Sequence, residues 1–153
     1  MFGCDIFEPW LGTLPGLWQP GERSLRLLAD HIRASVVIIG DGVRPSNTGR
    51  GYVLRRLLRR ALTILWREDR TRSLDEVPTA LLEHTLTRFG QDTDSALVRN
   101  VLRGEEGRFT GLLDRGHKVL ARFQPGRPLT EQDLAYLHQT HGLPPDLVTE
   151  LLA

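Results

Sequence analysis

The sequence of 153 residues is short of several things. It has one cysteine, Cys4, which excludes an internal disulfide and a cysteine-rich zinc site. It has one lysine, Lys118, so 19 of its 20 basic residues are arginine. No apolar run approaches the roughly 18–20 residues needed to cross a bilayer. The opening residues, Met1-Phe-Gly-Cys-Asp-Ile-Phe-Glu, contain an acid and no basic stretch, which is unlike a signal peptide. No internal repeat or low-complexity tract is present. No Ser-His-Asp order or paired-carboxylate pattern stands out, and no catalytic residue is assigned. A cytoplasmic location is the simplest expectation.

What remains is the composition of a folded domain, 40% hydrophobic and 25% charged. The net charge of +1 conceals an asymmetry. From Arg44 to Arg72 there are nine arginines and two acids, Glu68 and Asp69. Two readings fit that patch: a generic solvated arginine face, or a surface for a polyanion.

The hydrophobic pattern predicts an all-α protein of six or seven helices. Pro9, Pro15 and Pro20 mark the first 21 residues as a short helical turn, Asp5 to Leu11, followed by a loop pinned by Trp10, Leu17 and Trp18. Leu25, Leu28, Ala29, Ile32, Val36 and Ile39 recur at helical spacing and predict a helix from Glu22 to Ile39. Asn47 or Thr48 can cap the next helix, which is expected to reach Glu68. Its residues Leu54, Leu57, Leu58, Ala61, Leu62 and Leu65 share one arc, with Arg55, Arg56, Arg59 and Arg60 on the other. Four arginines without an interleaved acid repel one another, and an external anion would relieve that cost.

Ser73 with Glu76 three residues later predicts a capped helix running to Phe89, with Pro78 in its early turns. Asp92 or Thr93 is expected to start a longer helix to about Phe123, and Gln124–Pro128 to form a turn. Thr130 caps a helix that ends near Gly142, and Pro144-Pro145 opens the last one.

The strongest functional signal is the stretch Asp41-Gly-Val-Arg-Pro-Ser-Asn-Thr-Gly-Arg-Gly-Tyr-Val-Leu-Arg-Arg-Leu-Leu-Arg-Arg-Ala61, a glycine-rich turn feeding an arginine-covered helix. Guanidinium groups match phosphate oxygens in fork geometry. Gly49 and Gly51 would let a ligand approach the helix start, where free amides favour anions. No Gly-Lys-Ser/Thr follows, so this is not a Walker loop. Tyr52 is expected to pack rather than stack. His138 and His141 lie three apart, but no third ligand has matching spacing, and no metal or cofactor is assigned. Asp30-His31 beside Arg33 reads as a buried hydrogen-bonded helix contact rather than acid–base chemistry.

Ser24-Leu-Arg-Leu-Leu-Ala-Asp-His-Ile-Arg33, Asp41-Gly-Val-Arg-Pro-Ser-Asn47 and Gly49-Arg-Gly-Tyr-Val-Leu-Arg-Arg56 together resemble the helical middle region of alanyl-tRNA synthetase. Upstream, Cys4-Asp-Ile-Phe-Glu-Pro9 is similar to the tail of that family's catalytic domain. The resemblance divides the chain into residues 1–21, the tail, and 22–153, a helical tRNA-recognition domain. It is strong to Ala61 and looser beyond, through Glu105-Glu-Gly-Arg-Phe109 and Leu113-Asp-Arg-Gly116 to Thr140-His-Gly-Leu-Pro144. The family's ATP- and alanine-binding motifs lie upstream of the matched region and its editing domain downstream. The resemblance therefore implies a stand-alone binding protein that does not itself activate alanine.

In the family this region grips the acceptor stem of tRNA(Ala) and helps recognise a G·U wobble pair, using an asparagine and an aspartate. The asparagine maps onto Asn47. The aspartate's motif here reads His138-Gln-Thr-His-Gly-Leu-Pro144, with Gln139 in its place. Arg44, Arg50, Arg55, Arg56, Arg59 and Arg60 are the expected phosphate contacts. The implied partners are tRNA(Ala), charged or uncharged, and an enzyme of tRNA-dependent biosynthesis that would receive it; neither DNA nor a membrane is expected. The other reading is a protein-interaction module that docks on a synthetase or biosynthetic enzyme without RNA.

Overall fold

The computed structural model describes residues 8–18, 21–123 and 128–152. Among them the structure is all-α, without strands: α1 (Glu8–Leu17), α2 (Glu22–Gly40), α3 (Gly49–Glu68), a 3-10 turn (Leu74–Glu76), α4 (Thr79–Arg88), α5 (Ser95–Leu120), α6 (Glu131–His141) and α7 (Pro145–Leu152). The chain divides into two compact units, 1–106 and 107–153, with the boundary inside α5.

In the first unit α2 packs against α1, α3 and α4. The apolar arc of α2 is buried at Leu28, Ala29, Ile32, Val36 and Ile39, and that of α3 at Leu54, Leu58, Ala61, Leu62 and Leu65. Leu57, at the edge of the expected arc, is only half-buried. Each fully buried Leu or Ile contributes about 1.5–3 kcal/mol of transfer free energy, so this double stripe is what holds α3 in place. Trp10 and Trp18 are buried, as expected, and their indole N–H groups find acceptors. Trp10 Nε1 donates to Thr85 Oγ1 at 2.9 Å and Trp18 Nε1 to Glu76 Oε1 at 3.3 Å. In the second unit Phe109, Leu112, Val119 and Leu120 of α5 are buried, as are Leu137, Leu143, Leu147 and Val148. There α6 packs on α7.

Several expectations need correction. The first helix does not stop at Leu11 but runs to Leu17, with Pro15 inside it. Residues 1–7, including Cys4, lie outside the described set, as do 124–127 of the expected turn. The Ser73–Glu76 capping box is real but caps a single 3-10 turn rather than a long helix. The reason is Pro78, whose ring drives Val77 out of the helical region, to φ −62 and ψ 124. The α5 helix begins at Ser95, where Asp94 Oδ1 accepts from the Ala96 N–H at 2.9 Å, later than Asp92 or Thr93. The Thr130 cap of α6 has the expected form, with Asp133 completing the box.

A candidate nucleic-acid interface on α3

The loop before α3 folds back on the helix it feeds. The Ser46 N–H donates to the Gly51 carbonyl at 3.1 Å, and the Ser46 hydroxyl to the Thr48 carbonyl at 2.9 Å. Gly51 is buried, and a Cβ there would overlap the Ser46 side chain and the Arg44 carbonyl. The expected close approach at Gly51 is therefore to the protein's own loop, not to a ligand. Gly49 has open space around it but sits at φ +60, a conformation that side chains resist. Thr48 is the residue before the helix and makes no side-chain cap. These constraints hold Asn47 at the surface beside the start of α3.

The arginines separate into three groups. Arg44 Nη1 donates to the carbonyl of Val43 in the loop (2.9 Å) and to that of Ile39 at the end of α2 (3.4 Å). Arg50 pairs with Asp41 at 3.0 Å in a largely solvated contact. Both residues are exposed. Arg55 and Arg59 reach inward to Glu105 of α5. Arg55 Nε lies 3.2 and 3.1 Å from the two Glu105 oxygens, and Arg59 Nε 2.9 Å from Oε2. Glu105 is completely buried, while Arg55 and Arg59 retain 15% and 23% side-chain exposure. Arg56 and Arg60 point outward, exposed, and pair with no acid among the described residues.

Tyr52 corrects another expectation. It packs only in part: it is 45% exposed and stands four residues before Arg56 on the same helical row. Val53 beside it is also exposed. The outer row of α3 thus reads Tyr52, Arg56, Arg60, an aromatic face and then two unpaired cations. Such a row offers base stacking and phosphate pairing at once.

Glu105 is the member of this cluster that the pattern of α3 does not disclose, yet α5 carries its signal. It continues the buried stripe Val98, Leu102, Glu105 and Phe109, at spacings of four, three and four. A carboxylate on an apolar stripe is rarely buried without a partner, and the excess arginines of α3 supply one. Gln139 is exposed on α6, in the other unit. His138 is exposed, and His141 packs edge-on against Tyr136 with ring centroids 5.3 Å apart. Arg33 Nη2 lies 3.4 Å from Asp30 Oδ1, within α2, and His31 beside them is half-buried.

The sequence profile of the tRNA synthetases class II (A) matches residues 19–153. The chain belongs to that family. Within the synthetases its relatives are alanine–tRNA ligases. That of Bordetella pertussis is 39% identical over 161 residues, covering 98% of this chain. That of Tropheryma whipplei is 37% identical, covering 99%, and that of Rhizobium johnstonii 34%, covering 99%. The chain spans 18% of the length of these synthetases. No helix among the described residues is long and apolar enough to cross a membrane.

Proposed function

We propose that this synthetase-family chain binds the acceptor stem of tRNA(Ala), charged or uncharged, in the cytoplasm. The observation that carries the reading is the outer row of α3, where Arg56 and Arg60 stand exposed without an acid beside the ordered Asn47 loop. Arg44 and Arg50 extend the cationic surface onto that loop. In this reading Arg44, Arg50, Arg56 and Arg60 grip phosphates, Asn47 and Gln139 read bases, and Arg55 and Arg59 hold the surface in shape. The role is binding rather than catalysis, and the bound tRNA is presented to a partner enzyme that uses its aminoacyl end.

A-form RNA supports such a reader. Its phosphates accept arginine forks, and its shallow groove exposes base edges and 2′-hydroxyls to short polar side chains. Gln139 is neutral and one carbon longer than the family's aspartate, so selection of the G·U pair rests more heavily on Asn47. The competing reading, a protein-docking module without RNA, draws on that same substitution.

The deciding experiment is fluorescence anisotropy with three hairpins: the tRNA(Ala) acceptor stem, the same stem with its G·U pair changed to G·C, and an unrelated stem, each at two salt concentrations. Preference for the G·U stem is the expected result. Equal, salt-sensitive binding to all three would leave phosphate gripping and remove base readout. Absence of binding to every hairpin would overturn the RNA reading in favour of protein docking.

A further inference from the structure

The Asn47 side chain is not free to choose its orientation. Arg55 Nη1 lies 2.6 Å from Asn47 Oδ1. An arginine has only donors, so the amide atom that faces it must be the carbonyl oxygen. The Asn47 NH2 group is thereby turned away from Arg55, and what the residue offers at the surface is a hydrogen-bond donor. Arg55 is in turn immobilised at its other edge, where its Nε addresses both oxygens of the buried Glu105. The same carboxylate takes Arg59 Nε, which fixes the second neighbour on the helix. The Ser46–Gly51 hydrogen bond holds the backbone of the Asn47 loop against the same turn of α3.

We propose that Glu105 is a positioning residue for recognition: acting through Arg55, it fixes the polarity of the Asn47 amide so that the site selects a hydrogen-bond acceptor on the RNA. The inference rests on the RNA-binding reading above. Burial matters to it. A guanidinium held by a solvated acid would swing with its partner, whereas the Glu105 carboxylate has no exposed surface and cannot follow the loop. The chain Glu105, Arg55, Asn47 links the interior of α5 to the tip of the loop through two hydrogen-bonded steps.

The test compares the 153-residue wild type with Asn47→Asp, Arg55→Gln and Glu105→Gln. Binding is measured to the G·U and G·C acceptor stems, with urea unfolding of each protein alongside. Asn47→Asp keeps the partner of Arg55 but leaves only acceptors at the surface. It is expected to lose roughly tenfold of the preference between stems, the scale of one mispaired hydrogen bond. Arg55→Gln frees the amide to rotate and is expected to narrow the preference by a similar factor. Glu105→Gln should do the same in the folded protein. It should also shift the Asn47 side-chain amide signals in the spectrum of 15N-labelled protein, which a merely structural role for Glu105 would leave in place.

Retention of the wild-type preference by Asn47→Asp would overturn the amide polarity. Retention by folded Glu105→Gln and Arg55→Gln, with unmoved Asn47 signals, would overturn the positioning role. If Glu105→Gln does not fold, Arg55→Gln alone decides that role. Wild-type protein that binds neither stem would instead defeat the RNA reading itself, and this inference with it.

Discussion

Arg55 and Arg56 are adjacent on α3, as are Arg59 and Arg60, yet the members of each pair meet opposite surroundings. A step of about 100° around the helix separates an arginine aimed at a buried carboxylate from one aimed at solvent. Arg55 and Arg59 share the one charge of Glu105, at 2.9–3.2 Å. Arg56 and Arg60 have no acid among the described residues. The same side chain thus meets a buried carboxylate at one position and solvent at the next. The inner pair defines where the outer pair stands, because any slip of α3 would break a desolvated ion pair.

Removing Glu105 abolishes the distinction at its source. Glu105→Ala removes the buried carboxylate that both half-buried guanidinium groups address. Removing one partner of a buried ion pair costs about 3–5 kcal/mol, and the residual solvation of both arginines puts this case near the lower end, about 3 kcal/mol. Urea unfolding measures it. A loss below about 1 kcal/mol would mean that the cluster contributes no more than a surface contact.

Two glycines separate packing from backbone conformation at the loop. Gly51→Ala forces a methyl group into Ser46 and the Arg44 carbonyl, which are backbone-anchored and cannot simply turn aside. Overpacking of this kind costs about 2 kcal/mol and should displace Asn47, reducing stem preference together with stability. Gly49→Ala meets no neighbour but must hold φ +60, for about 1 kcal/mol. The order of the two unfolding midpoints, Gly51→Ala below Gly49→Ala, is the discriminating result. The reverse order would show that the loop yields more easily than the backbone.

Much of the fold is legible in the sequence because the α2 and α3 stripes are long and periodic. Leu28 to Ile39 and Leu54 to Leu65 point one way for several turns, and no local choice competes with them. The failures are local. The Ser73–Glu76 box announces a helix start truthfully, but Pro78 limits that helix to one 3-10 turn. The site divides along the same line. An arginine-rich face and Asn47 can be read from residue types. The division of that face cannot be read from α3 alone, because Glu105 lies 46 and 50 residues away in sequence from its two partners. Tyr52 misleads for a related reason: at a helix's first turn its register relative to the core depends on how the preceding loop returns.

Arg56→Ala/Arg60→Ala tests the outer pair directly. Both side chains are exposed and without an acidic partner, so the urea midpoint should stay where it is. Binding should weaken for all stems alike, and the slope of log K against log salt should fall by about two, one for each phosphate no longer neutralised. Arg55→Ala/Arg59→Ala should instead lower stability. If the outer double variant keeps the wild-type slope, the row is only a solvated face, as composition alone permits.

The smallest effect is expected at Asp75, where a partly exposed acid does for the 3-10 turn what Glu105 does for α3. Asp75 receives Arg103 at both oxygens, 2.7 and 3.0 Å, and Arg99 at 3.2 Å. The Arg103 hydrogen bonds, ahead of those from Arg99, hold its carboxyl below the ordinary aspartate value of 3.8. Folding therefore favours the ionised form. The stabilisation is in place above about pH 4 and is lost as the pH falls through the lowered value. Asp75→Asn should accordingly be slightly less stable at neutral pH and converge on the wild type in acid. Asp75 is more than one-third exposed, so solvent screens the pair and the gap should be narrower than that of any glycine or Glu105 variant. Urea midpoints at about pH 7 and at successively lower pH, until the carboxyl has titrated, check it. A gap as wide as that of Glu105→Ala would mean that burial is not what separates the inner arginines from ordinary surface pairs.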